Sequence, residues 1–134
     1  MRILIDTNII VSAALFPNGR VSDMIKQLVR RYDLCICTFS LDELFIVVNR
    51  KFKHKKNDVD EFLRELSYEL IYTPLELEKD KAPEIRDEND YPIMLSAINA
   101  DVDVLISGDN DFSVVECERP IIMSPAEFRE KHLS

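Results

Sequence analysis

Glycine occurs only twice in these 134 residues, and no low-complexity tract or repeat is present, so no flexible linker divides the chain. Nowhere do eighteen or more uncharged apolar residues follow one another, which excludes a membrane-spanning helix. An export signal would need a basic segment and then a long apolar one, and Asp6 interrupts that stretch. A soluble, unexported, cytoplasmic protein is expected. Cysteine is scarce and odd in number, and the two histidines, His54 and His132, stand alone. A zinc site would require further Cys or His at ligand spacing. Cys35 and Cys37 alternate in "DLCICTF" and read as small buried apolar groups on one face of a strand, as free thiols in a reducing compartment do. Neither GxGxxG nor GxxxxGK[ST] occurs, so a dinucleotide fold and a P-loop are both unsupported. Any site must be built from side chains.

What is present is a chain of one-domain size, 1–134, with 46% apolar residues, enough to bury about two-thirds of its unfolded surface. Strand and helix patterns alternate. "RILID" reads as a buried strand, and "VSDMIKQLVRRY" as an amphipathic helix with Val21, Met24, Ile25, Leu28 and Val29 on one face. "LCICTF" is a strand and "SLDELFIVVNRKF" a helix. "NDVDEFLRELSYEL" is a helix, "IYTP" a strand stopped by its proline, "PIMLSAINA" a buried helix and "DVLIS" a strand. A last helix is announced by "SPAEF", with Ser124 as N-cap, Pro125 at the first helical position and Glu127 completing a capping box. Such alternation predicts an α/β fold with a parallel sheet covered by helices.

The net charge is −8, superficially unsuited to a polyanionic partner. Acids gathered around divalent cations would reverse that sign locally, and bases also cluster, as Arg30–Arg31 and in "RKFKHKK" from Arg50 to Lys56. That second run is either a solvated helix end or a nucleic-acid or acidic-partner contact.

In open α/β sheets the ligand crevice lies beyond the carboxyl ends of the strands. The first strand is followed by Asp6, Thr7 and Asn8. The second leads to Ser40 and a helix carrying Glu43, and the late strand "DVLI" leads to "SGDND", with Ser107, Asp109 and Asp111. "RDEND" places Asp87 and Asp90 before the buried helix. Each has a structural alternative: Ser40 and Glu43 are spaced as a capping box, Asp87 or Asp90 suits a helix N-terminus, and Asp109 and Asp111 flank a turn. Asp6 is the exception: a cap does not explain an acid so tightly enclosed by "RILI" and "IIVSAALF", where an unpaired carboxylate is costly. Brought into one crevice, these carboxylates would repel by about 4 kcal/mol per pair at 4 Å and an effective dielectric near 20. An all-oxygen set of this kind selects a hard ion, Mg²⁺ or Mn²⁺, and suits phosphodiester hydrolysis.

"ILIDTNIIVSA", "SLDELFIVVNRKF" and "RDENDYPIMLSAINADVDVLISGDNDF", in that order over essentially the whole chain, resemble the PIN domain, most closely its small prokaryotic branch described as toxins of toxin–antitoxin pairs. The resemblance implies a three-layer α/β/α sandwich with a parallel central sheet and a Mg²⁺- or Mn²⁺-dependent ribonuclease site. The family's acids fall on Asp6, Glu43, Asp90 and Asp109, with Asp111 as a helper, its hydroxyls on Thr7 and Ser107, and its polar residue after the first acid on Asn8. Asp87 lies outside that pattern and reads as a cap. Homodimers and a separate antitoxin chain covering the site are further implications. A receiver-like phospho-acceptor would need a second acid where Thr7 stands and a late lysine. A haloacid-dehalogenase-like phosphatase would need an aspartate in place of Asn8, and a catalytically silent RNA-binding or scaffold module is the remaining alternative.

Overall fold

A computed structural model describes residues 1–108, 112, 115 and 117–134. Five parallel strands form its sheet: β1 (Arg2–Ile5), β2 (Asp33–Cys37), β3 (Glu69–Ile71), β4 (Val104–Ile106) and β5 (Ile121–Met123), in the order β3-β2-β1-β4-β5. The fold is thus the α/β sandwich expected from the sequence. Among the described residues the α-helices are α1 (Thr7–Leu15), α2 (Arg20–Arg31), α3 (Thr38–Lys51), α4 (Lys56–Glu65), α5 (Tyr91–Asn99) and α6 (Pro125–Phe128), the last running on into a wider turn over Arg129–Leu133.

Side chains that alternate along the strands feed two cores. Ile3, Ile5, Leu34, Ile36, Val104 and Ile106 pack with α1, α2, α3 and Phe128 on one face. Leu4, Cys35, Cys37 and Leu105 pack with Tyr91, Ile93, Met94 and Ala97 of α5 on the other. Both strand cysteines are fully buried free thiols, as their spacing suggested.

Several boundaries differ from the sequence reading. Helix α3 begins at Thr38, two residues before Ser40, because the loop after β3 caps it: Thr38 Oγ1 accepts from Thr73 N at 3.0 Å, and Thr73 Oγ1 accepts from Phe39 N at 3.2 Å. Helix α4 stops at Glu65, where Leu66 turns extended. The remainder of "NDVDEFLRELSYEL" crosses to the sheet, and Glu69 and Leu70 become strand, paired with Cys35 and Ile36. Strand β5 was not anticipated; three residues carry too little periodicity to be distinguished. Helix α1 also lay hidden, because nine largely apolar residues flanked by a strand read as a buried run of either kind. The capping box at Ser124 is present, with Ser124 Oγ accepting from Glu127 N and Glu127 Oε1 accepting from Ser124 N, both at 3.1 Å. Among the described residues no helix is long and apolar enough to cross a membrane.

Candidate active site

Strand β1 is central, with β2 on one side and β4 on the other, so its carboxyl end lies where the direction of strand order reverses, the usual crevice of such sheets. Asp6 is the residue placed there. Its backbone extends the ladder, Asp6 N donating to Ile106 O at 3.1 Å, and its side chain is 3% exposed. Two hydrogen bonds offset that burial: Oδ1 accepts from Ile9 N at 3.0 Å, and Oδ2 accepts a short bond from Ser107 Oγ. Asp6 is therefore the N-cap of α1, favoured also by the positive end of the helix dipole. This corrects the reading that a cap could not explain an acid so enclosed: the side chain caps a helix and also faces a cavity.

That cavity, about 130 Å³, is lined by Asp6, Thr7, Asn8, Glu43 and Asp90, with Phe39, Asn89 and Ile93 completing its wall. Glu43 reaches it from the second turn of α3. Since α3 starts at Thr38 and has Cys37 as N-cap residue, Ser40 and Glu43 do not form the expected capping box. Ser40 is fully buried and accepts from Thr7 Oγ1 at 3.0 Å and Cys37 Sγ at 3.4 Å, which fixes Thr7 at the cavity edge. Asp87 acts as the cap of the turn before α5, accepting from Asn89 N at 3.0 Å. Asp90, 8% exposed, stands on the cavity wall and Asp87 does not. Ser107 touches the site through Asp6. Asp109 and Asp111 lie outside the described residues.

Three of the acids singled out from the sequence thus share one cavity, together with Thr7 and Asn8. Asn89, Phe39, Ile93 and the supporting role of Ser40 were not anticipated. Asn89 sat within "RDEND", but only the acids of that stretch carried a chemical signal. Among the described residues no three acidic, thiol or imidazole groups close up tightly enough to hold a metal ion unaided. Three carboxylates around a cavity roomy enough for water nevertheless fit a hydrated Mg²⁺, which takes one or two carboxylates and keeps several waters.

Fold and cavity together define a class: parallel α/β proteins with a carboxylate-lined crevice at the reversal point of the sheet. Residues 2–111 match the family model described as PIN domain, and the chain belongs to the PIN domain family. Two solved structures share its fold. One is VapBC2 from Rickettsia felis bound to a DNA fragment from its promoter, with a TM-score of 0.69 and 22% identity over 92% of this chain and 98% of that one. The other is Mycobacterium tuberculosis VapC20, described as a sarcin-ricin loop cleaving toxin, with a TM-score of 0.55 and 13% identity over 83% and 92%. Among curated proteins no sequence matches.

Proposed function

We propose that the chain is a Mg²⁺- or Mn²⁺-dependent endoribonuclease that hydrolyses RNA phosphodiester bonds, with Asp6, Glu43, Asp90 and Asp109 as its catalytic acids and Asp111 as an additional ion ligand. The observation that carries this reading is the meeting of Asp6, Glu43 and Asp90, far apart in sequence, around one small cavity. Membership of the PIN family and the RNA-cleaving description of one structural relative support it.

When bound, such an ion supplies Lewis acidity toward a phosphate oxygen and lowers the pKa of a water. The protein's own groups do the rest. Asp6 is held in one orientation by Ile9 N and Ser107 Oγ, so its remaining lone pairs point in a fixed direction, as a ligand to a hard cation needs. Glu43 and Asp90 face it from α3 and from the turn before α5. The exposed amide of Asn8 stands at the mouth, where a phosphate oxygen would find a donor, and Thr7, whose hydroxyl donates to Ser40, lines the wall beside it.

The same reading makes the chain the toxin of a toxin–antitoxin pair: a second chain would cover the mouth, and two copies would associate as a homodimer. The printed description of VapBC2, a protein pair on promoter DNA, supports a partner of this kind.

The test is cleavage of end-labelled RNA by purified protein with Mg²⁺ or Mn²⁺, beside thermal melts with and without Mn²⁺. Asp6→Asn should lower cleavage by at least about a hundredfold. Glu43→Ala should melt within about 0.5 kcal/mol of wild type without ion, as an uncapped partly exposed position does, yet lose most of the Mn²⁺-induced rise in Tm. Undiminished cleavage by Asp6→Asn would end the assignment. A strong Mn²⁺ response without cleavage of any RNA would favour the silent binding module.

A further inference from the structure

The most concentrated positive charge of this acidic protein is not used by the site. Five of its 17 Lys and Arg side chains, Arg50, Lys51, Lys53, Lys55 and Lys56, fall within seven residues that contain no acid. They occupy the last turn of α3, the single turn Lys53–Lys55 and the start of α4. Arg50, Lys51, Lys53 and Lys56 are exposed, and among the described residues none of the four forms an ion pair.

Stability accounts for only part of the run. Arg50 and Lys51 lie in the last turn of α3, where positive charge complements the helix dipole. Lys55 is tied down, its Nζ donating to Leu15 O at 2.8 Å and lying 5.3 Å from the Phe16 ring centre. Lys53 and Lys56 have no such reason. They precede and open α4, whose N-terminus has no side-chain cap and whose dipole disfavours cations there. Two like charges are kept where the fold gains nothing from them.

The run is in line with the candidate site. Arg50 follows Glu43 by seven residues on α3, which is two turns: about 10.5 Å along the axis and only about 20° off the same face. Between them that face presents Val47 and the exposed Ile46. A strand of nucleic acid leaving the cavity past Glu43 would therefore run along α3 to the lysines.

We propose that Arg50, Lys51, Lys53 and Lys56 form a phosphate track that holds the backbone of single-stranded RNA leading to or from the acidic cavity. This rests on the ribonuclease reading and extends it. An acidic crevice repels the very polyanion it would cut, and a basic strip two helical turns away supplies the attraction without contributing charge to the crevice. Binding of this kind carries no base specificity.

The test measures affinity of the full chain for a fluorescent single-stranded RNA as a function of salt, without divalent ions so that nothing is cut. Lys53→Gln/Lys56→Gln is compared with Arg30→Gln/Arg31→Gln, which removes the same charge from exposed positions at the end of α2. Losing two phosphate contacts should make the slope of log K against log salt shallower by about 1.4 and weaken binding about 25-fold at 0.1 M salt, with the control pair unchanged. Equal slopes and affinities for the two pairs would overturn the track. So would a loss of affinity confined to an acidic protein partner, with RNA binding intact. RNA binding through the run by a protein that cuts nothing would sink the ribonuclease reading and leave the track standing. Cleavage with an unaltered KM in Lys53→Gln/Lys56→Gln would do the reverse.

Discussion

Replacing the Asp6 carboxylate by an amide keeps one oxygen for Ile9 N, because asparagine is as good an N-cap as aspartate, and the Ser107 hydroxyl can rotate to accept from the new N–H. Asp6→Asn should therefore stay within about 1 kcal/mol of wild type. Asp6→Ala keeps neither bond. It should lose about 1 kcal/mol for the cap and a similar amount for the Ser107 contact, seen as a fall of roughly 6–10 °C in Tm for a chain of this size. Equal melting of the two variants would show that the cap contributes nothing. At this scale the sequence spoke unevenly. Asp6, Glu43 and Asp90 were readable because acids at strand ends are chemically loud. That Asp6 caps α1 was not, since the helix it caps has no polar face to give it a period. Asn89 and Ser40 carry no charge and become relevant only through what they touch.

Helix α3 brings Glu43 to the cavity, and its start is fixed from outside. Thr73, just after β3, accepts from Phe39 N and pairs with Ser96 Oγ at 2.9 Å, while its backbone N–H is bound by Thr38. One threonine thus joins the first turn of α3 to the middle of α5. Thr73→Val, which keeps the shape but removes the oxygen, should cost about 1–3 kcal/mol by leaving Phe39 N short of a partner, while Ser96 Oγ keeps Pro92 O at 2.7 Å; the cost is read by chemical denaturation. If the cost is near zero, the clasp is not what sets the helix start. The misplaced boundary at Ser40 has this physical origin: "SLDE" has the spacing of a capping box, but a tertiary contact 35 residues away provides a better cap two positions earlier. Where the cap is local, as in "SPAEF", sequence and structure agree.

For the molecule as a whole, pH stability reports how the sheet is buried. Cys35 lies between β1 and β3 with no exposed surface. Burial, reinforced by the Glu69 carboxylate nearby, pushes its thiol up from 9.0 to about 11. The folded thiol holds its proton after the unfolded one has lost it, so stability must fall as pH rises from about 9 to about 11, by about 2–3 kcal/mol in total. Denaturant melts from pH 8 to 10.5 should show a steeper decline in wild type than in Cys35→Ala, and parallel curves would contradict it. The overall plan was legible because alternating strand and helix signals admit few parallel arrangements. The order β3-β2-β1-β4-β5 was not, because nothing local states which strands adjoin. That order also has a consequence for birth of the protein. Asp6 and Ser107 are 101 residues apart in the chain, and β4 must dock beside β1 before the two can meet. At ordinary elongation rates of about 5–20 residues per second, a growing chain spends roughly 5–20 s between making Asp6 and making Ser107, so the carboxylate goes without this hydroxyl partner until synthesis is nearly done.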